Sequence, residues 1–134
     1  LQSAHALQSI GAFQLEAAIQ DAHLHRVFSQ AASWENICLL YEGLIQYKKT
    51  LGALVARASA YGFWKSPDIA LKMLSEIKVD RSENFQALWA TKAYFEEQNG
   101  NKKVAIKDYE KAISLTLNKT YRDHLLRRKQ ALQA

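Results

Sequence analysis

Residues 93–115, AYFEEQNGNKKVAIKDYEKAISL, carry the clearest structural pattern in the sequence. It combines the end of one helix, a turn at Gly100 and a complete second helix. Gly100 can adopt the left-handed conformation that ends a helix, because it has no Cβ. Ala105 and Ala112 lie on the apolar side of the second helix, where small side chains let two helices approach closely. Tyr94 and Tyr109 are expected to fill the space between helix layers. The stretch therefore predicts a tightly packed helical hairpin.

The order of residue types in this hairpin is similar to that of tetratricopeptide repeats. The matching positions are Ala93-Tyr94, Gly100, Ala105, Tyr109, Ala112 and Leu115. The turn before Gly100 is about one or two residues longer than in the repeat consensus. Thr116-Leu117 stands where the consensus has a closing proline. The resemblance implies stacked hairpins in a right-handed superhelix.

The rest of the chain also favours helix, since it contains only one Pro and five Gly. No run of alternating apolar and β-branched residues predicts a strand. Helix caps are expected at Ser33, Thr50, Ser66 and Asn118, because their side chains can accept a first-turn amide. We predict an all-α fold of about seven helices packed as antiparallel hairpins. The predicted segments are 2–9, 12–27, 34–47, 51–62, 67–77, 85–96, 102–115 and one after Asn118; Ile69, Val104 and Tyr121 are assigned to their apolar sides.

Length and composition indicate one domain, residues 1–134. The sequence has no initiator Met, so we expect it to be cut from a longer protein, and the family resemblance described below implies that it is the C-terminal part. The start has no signal peptide, and no apolar run approaches the ~20 residues that span a bilayer. Cys38 is the only cysteine, which fits a cytoplasmic protein. Lys and Arg number nine against ten Asp and Glu over residues 1–100, and nine against three over residues 101–134. The net charge of +5 therefore belongs to the last two helices.

A longer resemblance begins at residues 11–19, GAFQLEAAI, followed by His23. This stretch is similar to the G-x-[YF]-Q-L-x-A-A-I…H segment that opens the C-terminal extension of bacterial extracytoplasmic-function sigma factors. The spacing of Trp34, Ile37, Leu40-Tyr41 and Leu44 resembles the W-x-x-I-x-x-L-Y-x-x-L of that family. The motif positions are Gly11, Phe13, Gln14, Leu15, Ala18, His23, Trp34, Tyr41, Arg57, Gly100, Ala105, Tyr109, Ala112 and Asn118.

The resemblance implies a regulatory protein–protein interaction domain that controls transcription initiation in the bacterial cytoplasm. The implied partners are the promoter-binding and polymerase-binding parts of the parent sigma factor, RNA polymerase or a regulatory protein. DNA contact is implied only for the family's N-terminal domains, which this sequence lacks. Lys49-Thr50-Leu51 and Ala56 depart from the family's Pro-Ser-Pro and from the Asn before its Arg. If those family residues belong to a contact surface, that surface is expected to be lost or changed in this chain.

Catalytic and metal-binding patterns are absent from the sequence. His23 and His25 are two positions apart and point to different faces of a helix, which disfavours a metal pair. Cys38 lies on an apolar face and is interpreted as a buried, inert thiol. Glu96-Glu97 is interpreted as a solvated turn. We predict neither enzymatic activity nor a cofactor, and no membrane partner.

Two alternatives concern surfaces. The basic tail could bind nucleic acid through phosphate contacts, or it could be a solvated face. Phe63-Trp64 could be a partner site, or it could pack onto the following helix. A stand-alone repeat scaffold unrelated to transcription is a further possibility. The candidate partner surface consists of Phe63, Trp64, Arg122, Arg127, Arg128 and Lys129.

Overall fold

The computed structural model describes residues 11–12, 14–23, 33–78 and 82–134. These residues form seven α-helices and no strand, which confirms the all-α prediction. The predicted segment 2–9 and connection 28–32 lie outside the described residues, as do Phe13 and His25. The elements are α1 (residues 11–12 and 14–23), α2 (Trp34–Tyr47), α3 (Leu51–Trp64), α4 (Pro67–Ser75), a 3₁₀ turn (Ser82–Asn84), α5 (Gln86–Gln98), α6 (Lys102–Leu115) and α7 (Lys119–Gln133).

Four side chains cap helix N-termini as predicted. Ser33 accepts the amide of Asn36 at 3.1 Å, and Thr50 accepts that of Ala53 at 3.1 Å. Ser66 accepts a first-turn amide of α4 at 3.4 Å. Asn118 accepts a first-turn amide of α7 at 2.9 Å. Each cap satisfies a backbone donor that has no partner inside its helix. Side-chain caps of this kind begin α2, α3, α4 and α7, whereas α5 and α6 begin without one.

The α5–α6 turn has the predicted left-handed glycine, with φ of +82° at Gly100. The amide of Asn101 donates to the carbonyl of Glu96 at 2.9 Å, and that of Gly100 donates to Glu97 at 3.0 Å. These two bonds satisfy carbonyls at the end of α5. The chain therefore reverses within three residues, and α5 and α6 pack along their whole lengths.

Gly62 does not end α3, contrary to the prediction, since the helix continues to Trp64. The glycine is buried where α3 meets its neighbours. A Cβ built there would lie 2.5 Å from Cζ of Phe95 and 2.7 Å from Cβ of Ala70. The hydrogen atom at this position therefore permits the close approach of α3 to both α4 and α5.

Helices that follow one another along the chain are antiparallel and packed together. Leu15 lies against Gly43 between α1 and α2, and Glu42 bonds Arg57 between α2 and α3. Helix α3 also packs on α5, with Gly62 against Phe95, 33 positions later. The core therefore runs along the stack as successive clusters, each shared by two or three helices.

On α4 and α6, one position each that was assigned to an apolar helix face is exposed. Ile69 lies on the outer side of α4, while Ala70 and Leu74 occupy its buried side. Val104 is exposed on α6, where Ala105 and Tyr109 face the core. Both corrections have one cause, since the buried stripe of each helix is narrower than the sequence pattern suggested.

Candidate partner-binding surface

Phe63 is the most prominent exposed aromatic side chain of α3, with 44% of its surface accessible. Its ring stacks on Trp34 of α2 at a centroid distance of 4.7 Å and an angle of 19°. It also contacts Tyr94 at 5.7 Å and Phe95 at 5.4 Å on α5. Aromatic pairs at these distances hold each other in place. Phe63 is thus exposed and yet held in place by aromatic contacts from two neighbouring helices, α2 and α5.

A shallow cleft of about 180 Å³ lies beside Phe63, between α3, α5 and α7. Tyr121 closes it on the α7 side and is 40% exposed, whereas the sequence predicted a buried ring. The last helix buries Leu125 instead, which leaves Tyr121 stacked on His124 at 6.1 Å. We call this the aromatic cleft; its lining residues are Ser59, Phe63, Ala90, Thr91, Tyr94, Phe95 and Tyr121.

The aromatic cleft has no charged residue in its lining. Ser59, Thr91, Tyr94 and Tyr121 supply hydroxyl groups, and Phe63 supplies an apolar wall. Tyrosine and serine side chains suit contact surfaces, because they combine apolar area with hydrogen bonding at a low entropy cost. The chemistry fits an apolar side chain of another protein, with peptide groups around it.

Arg128 fixes α7 beside the aromatic cleft. Its Nε donates to the hydroxyl of Tyr109 at 3.0 Å, and its Nη2 donates to both carboxylate oxygens of Glu97 at 3.1 and 3.2 Å. The Tyr109 hydroxyl itself donates to Glu97 at 2.8 Å. The guanidinium also lies 5.4 Å from the centroid of the Tyr94 ring. One cation therefore joins α5, α6 and α7.

The pKa values in this network follow from burial and from its bonds. Burial raises the pKa of Tyr109 to about 12, although the Arg128 guanidinium opposes the rise. The hydrogen bond to Tyr109 raises the pKa of Arg128. Asp108, one residue earlier, is also buried, which raises the pKa of its carboxyl against the opposing bond from Lys92. At neutral pH Tyr109 is a neutral donor and Arg128 is charged.

Glu96 and Glu97 do not form a solvated turn, contrary to the sequence interpretation. Glu97 is largely covered and bonded to Arg128, and Glu96 accepts the side-chain amide of Asn101 at 2.6 Å. No local sequence pattern indicates the bond of Glu97, because Arg128 lies 31 positions away. Glu97 is therefore a structural residue that sequence reasoning missed.

A second ion pair joins α2 to α3. Nε of Arg57 donates to Glu42 at 2.6 Å, and the hydroxyl of Tyr61 donates to the same oxygen at 3.0 Å. Burial raises the pKa of Tyr61, and its bond to Glu42 adds to the rise. Glu42 was not singled out in the sequence, since its two partners lie on another helix. The motif residue Arg57 thus contributes to the α2–α3 contact.

The charges of the tail fall into two groups. Lys129 lies 3.6 Å from the carboxylate of Glu110, and Arg128 is bonded as described. Arg122 and Arg127 are exposed and form no ion pair within the described residues. The same is true of three lysines on α6 at i, i+4 and i+8 spacing, which we call the lysine stripe: Lys103, Lys107 and Lys111.

Trp64 lies next to Phe63 but faces the α2–α3 cluster. Its ring is 5.7 Å from Tyr61, and Nζ of Lys65 lies 3.9 Å from its centroid. A cation over an indole ring is a favourable contact. Phe63 and Trp64 thus belong to different surfaces and do not form one site.

The remaining motif positions are spread along the stack. Gly11 lies against the ring of Tyr47, and His23 contacts Trp34 at a centroid distance of 5.8 Å. Ala105, Tyr109 and Ala112 are buried between α5, α6 and α7. The others are half-buried or exposed: Gln14 is exposed, whereas Leu15, Ala18, Trp34 and Tyr41 are half-buried.

Cys38 is fully buried between α1, α2 and α3. Burial raises the pKa of its thiol to about 11, and the nearby Glu42 adds to the rise. The thiolate that a nucleophile requires is therefore disfavoured at neutral pH. Among the described residues, no three His, Cys, Asp or Glu side chains are placed to share a metal ion. No helix in the described part of the chain is long and apolar enough to cross a membrane.

Comparison with models of known protein families gives no match, and comparison with curated protein sequences gives none either.

Proposed function

We propose that the chain is a protein-interaction domain and that it forms the regulatory C-terminal part of a bacterial extracytoplasmic-function sigma factor. The aromatic cleft is the observation that carries the first statement. It offers a fixed, exposed aromatic wall at Phe63 and a second ring at Tyr121. Interface cores favour aromatic side chains and few charges. The sigma-factor statement rests on the sequence resemblance over residues 11–41 and on the order of later motif positions.

The packing of alternate helices supports a tetratricopeptide-like arrangement. Gly62 on α3 meets Phe95 on α5 33 positions later, and Tyr94 on α5 meets Arg128 on α7 34 positions later. These offsets are close to the 34-residue period of tetratricopeptide repeats. In a stack of this kind, alternate helices line one face, and such faces bind extended partners. The aromatic cleft lies where α3, α5 and α7 meet.

The sigma-factor statement is tested by the coding sequence that precedes Leu1. It is expected to encode a polymerase-binding helical region followed by a helix-turn-helix. A preceding sequence without these two parts contradicts the sigma-factor statement. The protein-interaction statement is not affected by this result and is tested separately.

The interaction statement is tested in the longest natural form of the protein by site-specific photo-crosslinking. A benzoylphenylalanine at Tyr121 is expected to capture a promoter-binding or polymerase-binding domain, or RNA polymerase, identified by mass spectrometry. The same probe at Tyr47, equally exposed on α2, is the control. Equal capture at both positions, or none at Tyr121, contradicts a role of the aromatic cleft.

Nucleic-acid binding is a second candidate, favoured by the lysine stripe. Lys103, Lys107 and Lys111 share one exposed side of α6 with no anion paired to them in the described part of the chain. Lysine rows of this kind bind phosphates without reading sequence. Arg128 and Lys129, in contrast, already have carboxylate partners. We favour protein binding, because the lysine stripe carries no aromatic side chain that could stack on bases.

A further inference from the structure

A cavity of about 300 Å³ lies between the α2–α3 turn, α3 and the end of α4. Its rim includes Lys49, Arg57 and Lys78, with Glu76 as the one acidic side chain. Leu54 and Met73 supply apolar walls. We call it the basic pocket. Arg57 is already paired with Glu42, but the two lysines outnumber Glu76, so the rim keeps a net positive charge. Such a rim around an apolar interior attracts a negatively charged group with an apolar part.

Arg57 has hydrogen-bond donors in the basic pocket that are not used by its bond to Glu42. Its Nε is bonded to Glu42, while Nη1 and Nη2 form no hydrogen bond within the described residues. A guanidinium held by one carboxylate is fixed in orientation, and its remaining N–H groups can meet a carboxylate in a paired geometry. Lys49 and Lys78 are exposed and have no ion pair in the part of the chain that the structure describes. They can close around the same anion.

The apolar interior of the basic pocket determines the rest of the ligand. Leu54 is buried at the base of α3, and Met73 is half-buried on α4. An inorganic anion would leave the accessible parts of Met73 and of the half-buried Ile77 uncovered, whereas an alkyl group beside the carboxylate would bury them. Burial of apolar area contributes roughly 25 cal/mol per Å². A flexible methionine also adapts its shape to different alkyl groups.

We infer that the basic pocket binds a carboxylate attached to an apolar group. This chemistry occurs in two sources: a free alkyl carboxylic acid and the C-terminal residue of a peptide that ends in an apolar side chain. The inference is independent of the proposed function, since the basic pocket lies apart from the lining of the aromatic cleft.

The sequence provides a single reporter for this site, because Met73 is the only methionine. Protein labelled with ¹³C at the methionine methyl group gives one resonance from the pocket wall. Titration with octanoate is expected to shift this resonance in a saturable way. Octyltrimethylammonium, with a similar alkyl chain and the opposite charge, is expected not to shift it at the same concentrations.

The two sources are separated by a short peptide that ends in Leu with a free carboxylate, compared with its C-terminal amide. Tighter binding of the acid peptide than of octanoate identifies a peptide terminus as the source, and the reverse order identifies a free acid. Equal shifts with acid and amide peptides and with both octyl compounds contradict the inference, because the carboxylate then contributes nothing.

Charge reversal tests the rim. K49E and K78E are each expected to weaken octanoate binding by about 5- to 10-fold, as loss of one charge-assisted contact does. K103E, on the lysine stripe of α6, changes the net charge equally but lies outside the pocket lining, and it is expected to leave the affinity unchanged. Equal weakening by all three variants shows an effect of net charge alone and overturns the assignment. The circular dichroism of each variant checks that the fold is retained.

Discussion

Gly62 lies at the closest approach of α3 to α4 and α5, and it gives the sharpest prediction at the residue scale. G62A places a methyl group against Phe95 and Ala70. It is expected to lower the free energy of unfolding by about 1–3 kcal/mol, because the helices have to move apart. Urea unfolding measures this change.

Gly52 is the matched control for that substitution. It lies on the same helix, and a Cβ built there has no atom within 4 Å. G52A is expected to stabilise by about 0.4–1 kcal/mol, because alanine restricts the unfolded chain and favours helix. If G62A and G52A change the free energy of unfolding in the same direction, close packing does not explain why position 62 is a glycine.

Tyr109 predicts a specific alkaline loss of stability. Its pKa is about 12 in the folded protein and 10.0 in the reference state. Because the pKa of Tyr109 is higher in the folded protein, the contribution of its neutral hydroxyl to the stability of the fold is complete below pH 10. This contribution is lost as the pH rises from about 10 to 12. The wild type is expected to lose up to about 2–3 kcal/mol more than Y109F over that window.

The measurement for Tyr109 is urea unfolding at a series of pH values from 8 to 12. Y109F is the informative comparison, because it keeps the ring packed and leaves Arg128 paired with Glu97. Tyr41 and Tyr61 also have raised pKa values, so both proteins share their contribution. Parallel curves for wild type and Y109F would show that Tyr109 ionises as easily folded as unfolded.

Single residues show where sequence patterns succeed and where they fail. The caps at Ser33, Thr50 and Asn118 were predictable because the bond is local, formed with an amide three positions away. The roles of Gly62 and Glu97 were not, because their partners lie 33 and 31 positions further along the chain. A glycine in this sequence context is typical of a helix end, whereas Gly62 lies inside α3 where the helix crosses its neighbours.

Helix α7 is held to the stack mainly by Leu125 and Arg128. R128A removes a charge-assisted contact and leaves the carboxylate of Glu97 covered without its cation. R128A is expected to lower the free energy of unfolding by about 1.5–3 kcal/mol and to weaken the packing of α7 more than that of the other helices. Amide hydrogen exchange in R128A should therefore increase more in α7 than in α3 or α5.

The neighbouring Arg127 is the control for this helix. It is exposed and has no ion pair in the described part of the chain, so R127A is expected to change stability by less than about 0.5 kcal/mol. Equal effects of R127A and R128A would mean that total charge, and not the bonded guanidinium, holds α7 in place.

Helix boundaries and buried faces were predictable at the scale of elements, but the aromatic cleft was not. α2 and α6 have the predicted limits, Trp34–Tyr47 and Lys102–Leu115. The rings of the aromatic cleft come from three helices, and their meeting depends on how α3, α5 and α7 stack. Tyr121 was assigned to the interior because it shares the helical spacing of Leu125, yet in the first turn of α7 it is 40% exposed, whereas Leu125 is buried one turn later.

The separation of charge along the whole molecule gives a direct test of nucleic-acid binding. If the lysine stripe contacts three phosphates, the logarithm of the affinity for duplex DNA falls with the logarithm of salt with a slope of about −3. We expect instead weak binding, of order 10⁻⁴ M near physiological salt. Fluorescence anisotropy with a labelled duplex, at several salt concentrations, measures both quantities.

Two triple variants with equal net charge distinguish the stripe from the overall charge. One reverses Lys103, Lys107 and Lys111 to Glu, and the other reverses Lys102, Arg122 and Arg127. We expect the two to reduce the weak binding alike. Sub-micromolar binding at physiological salt that only the first variant abolishes would make the domain a nucleic-acid binder and displace the protein-interaction proposal.

The pairing of helices along the stack also determines how the chain reaches its native state. Extensive packing joins helices that are consecutive in the chain, and α3 with α5. Contacts between segments close in sequence require only short loops to close, which is the condition for folding in microseconds to milliseconds. Such a chain can begin to order at any hairpin, and growth then adds one helix at a time to an existing edge. We expect the compact α5–α6 hairpin, with its glycine turn and alanine-lined contact, to order first and the rest of the stack to assemble outward from it.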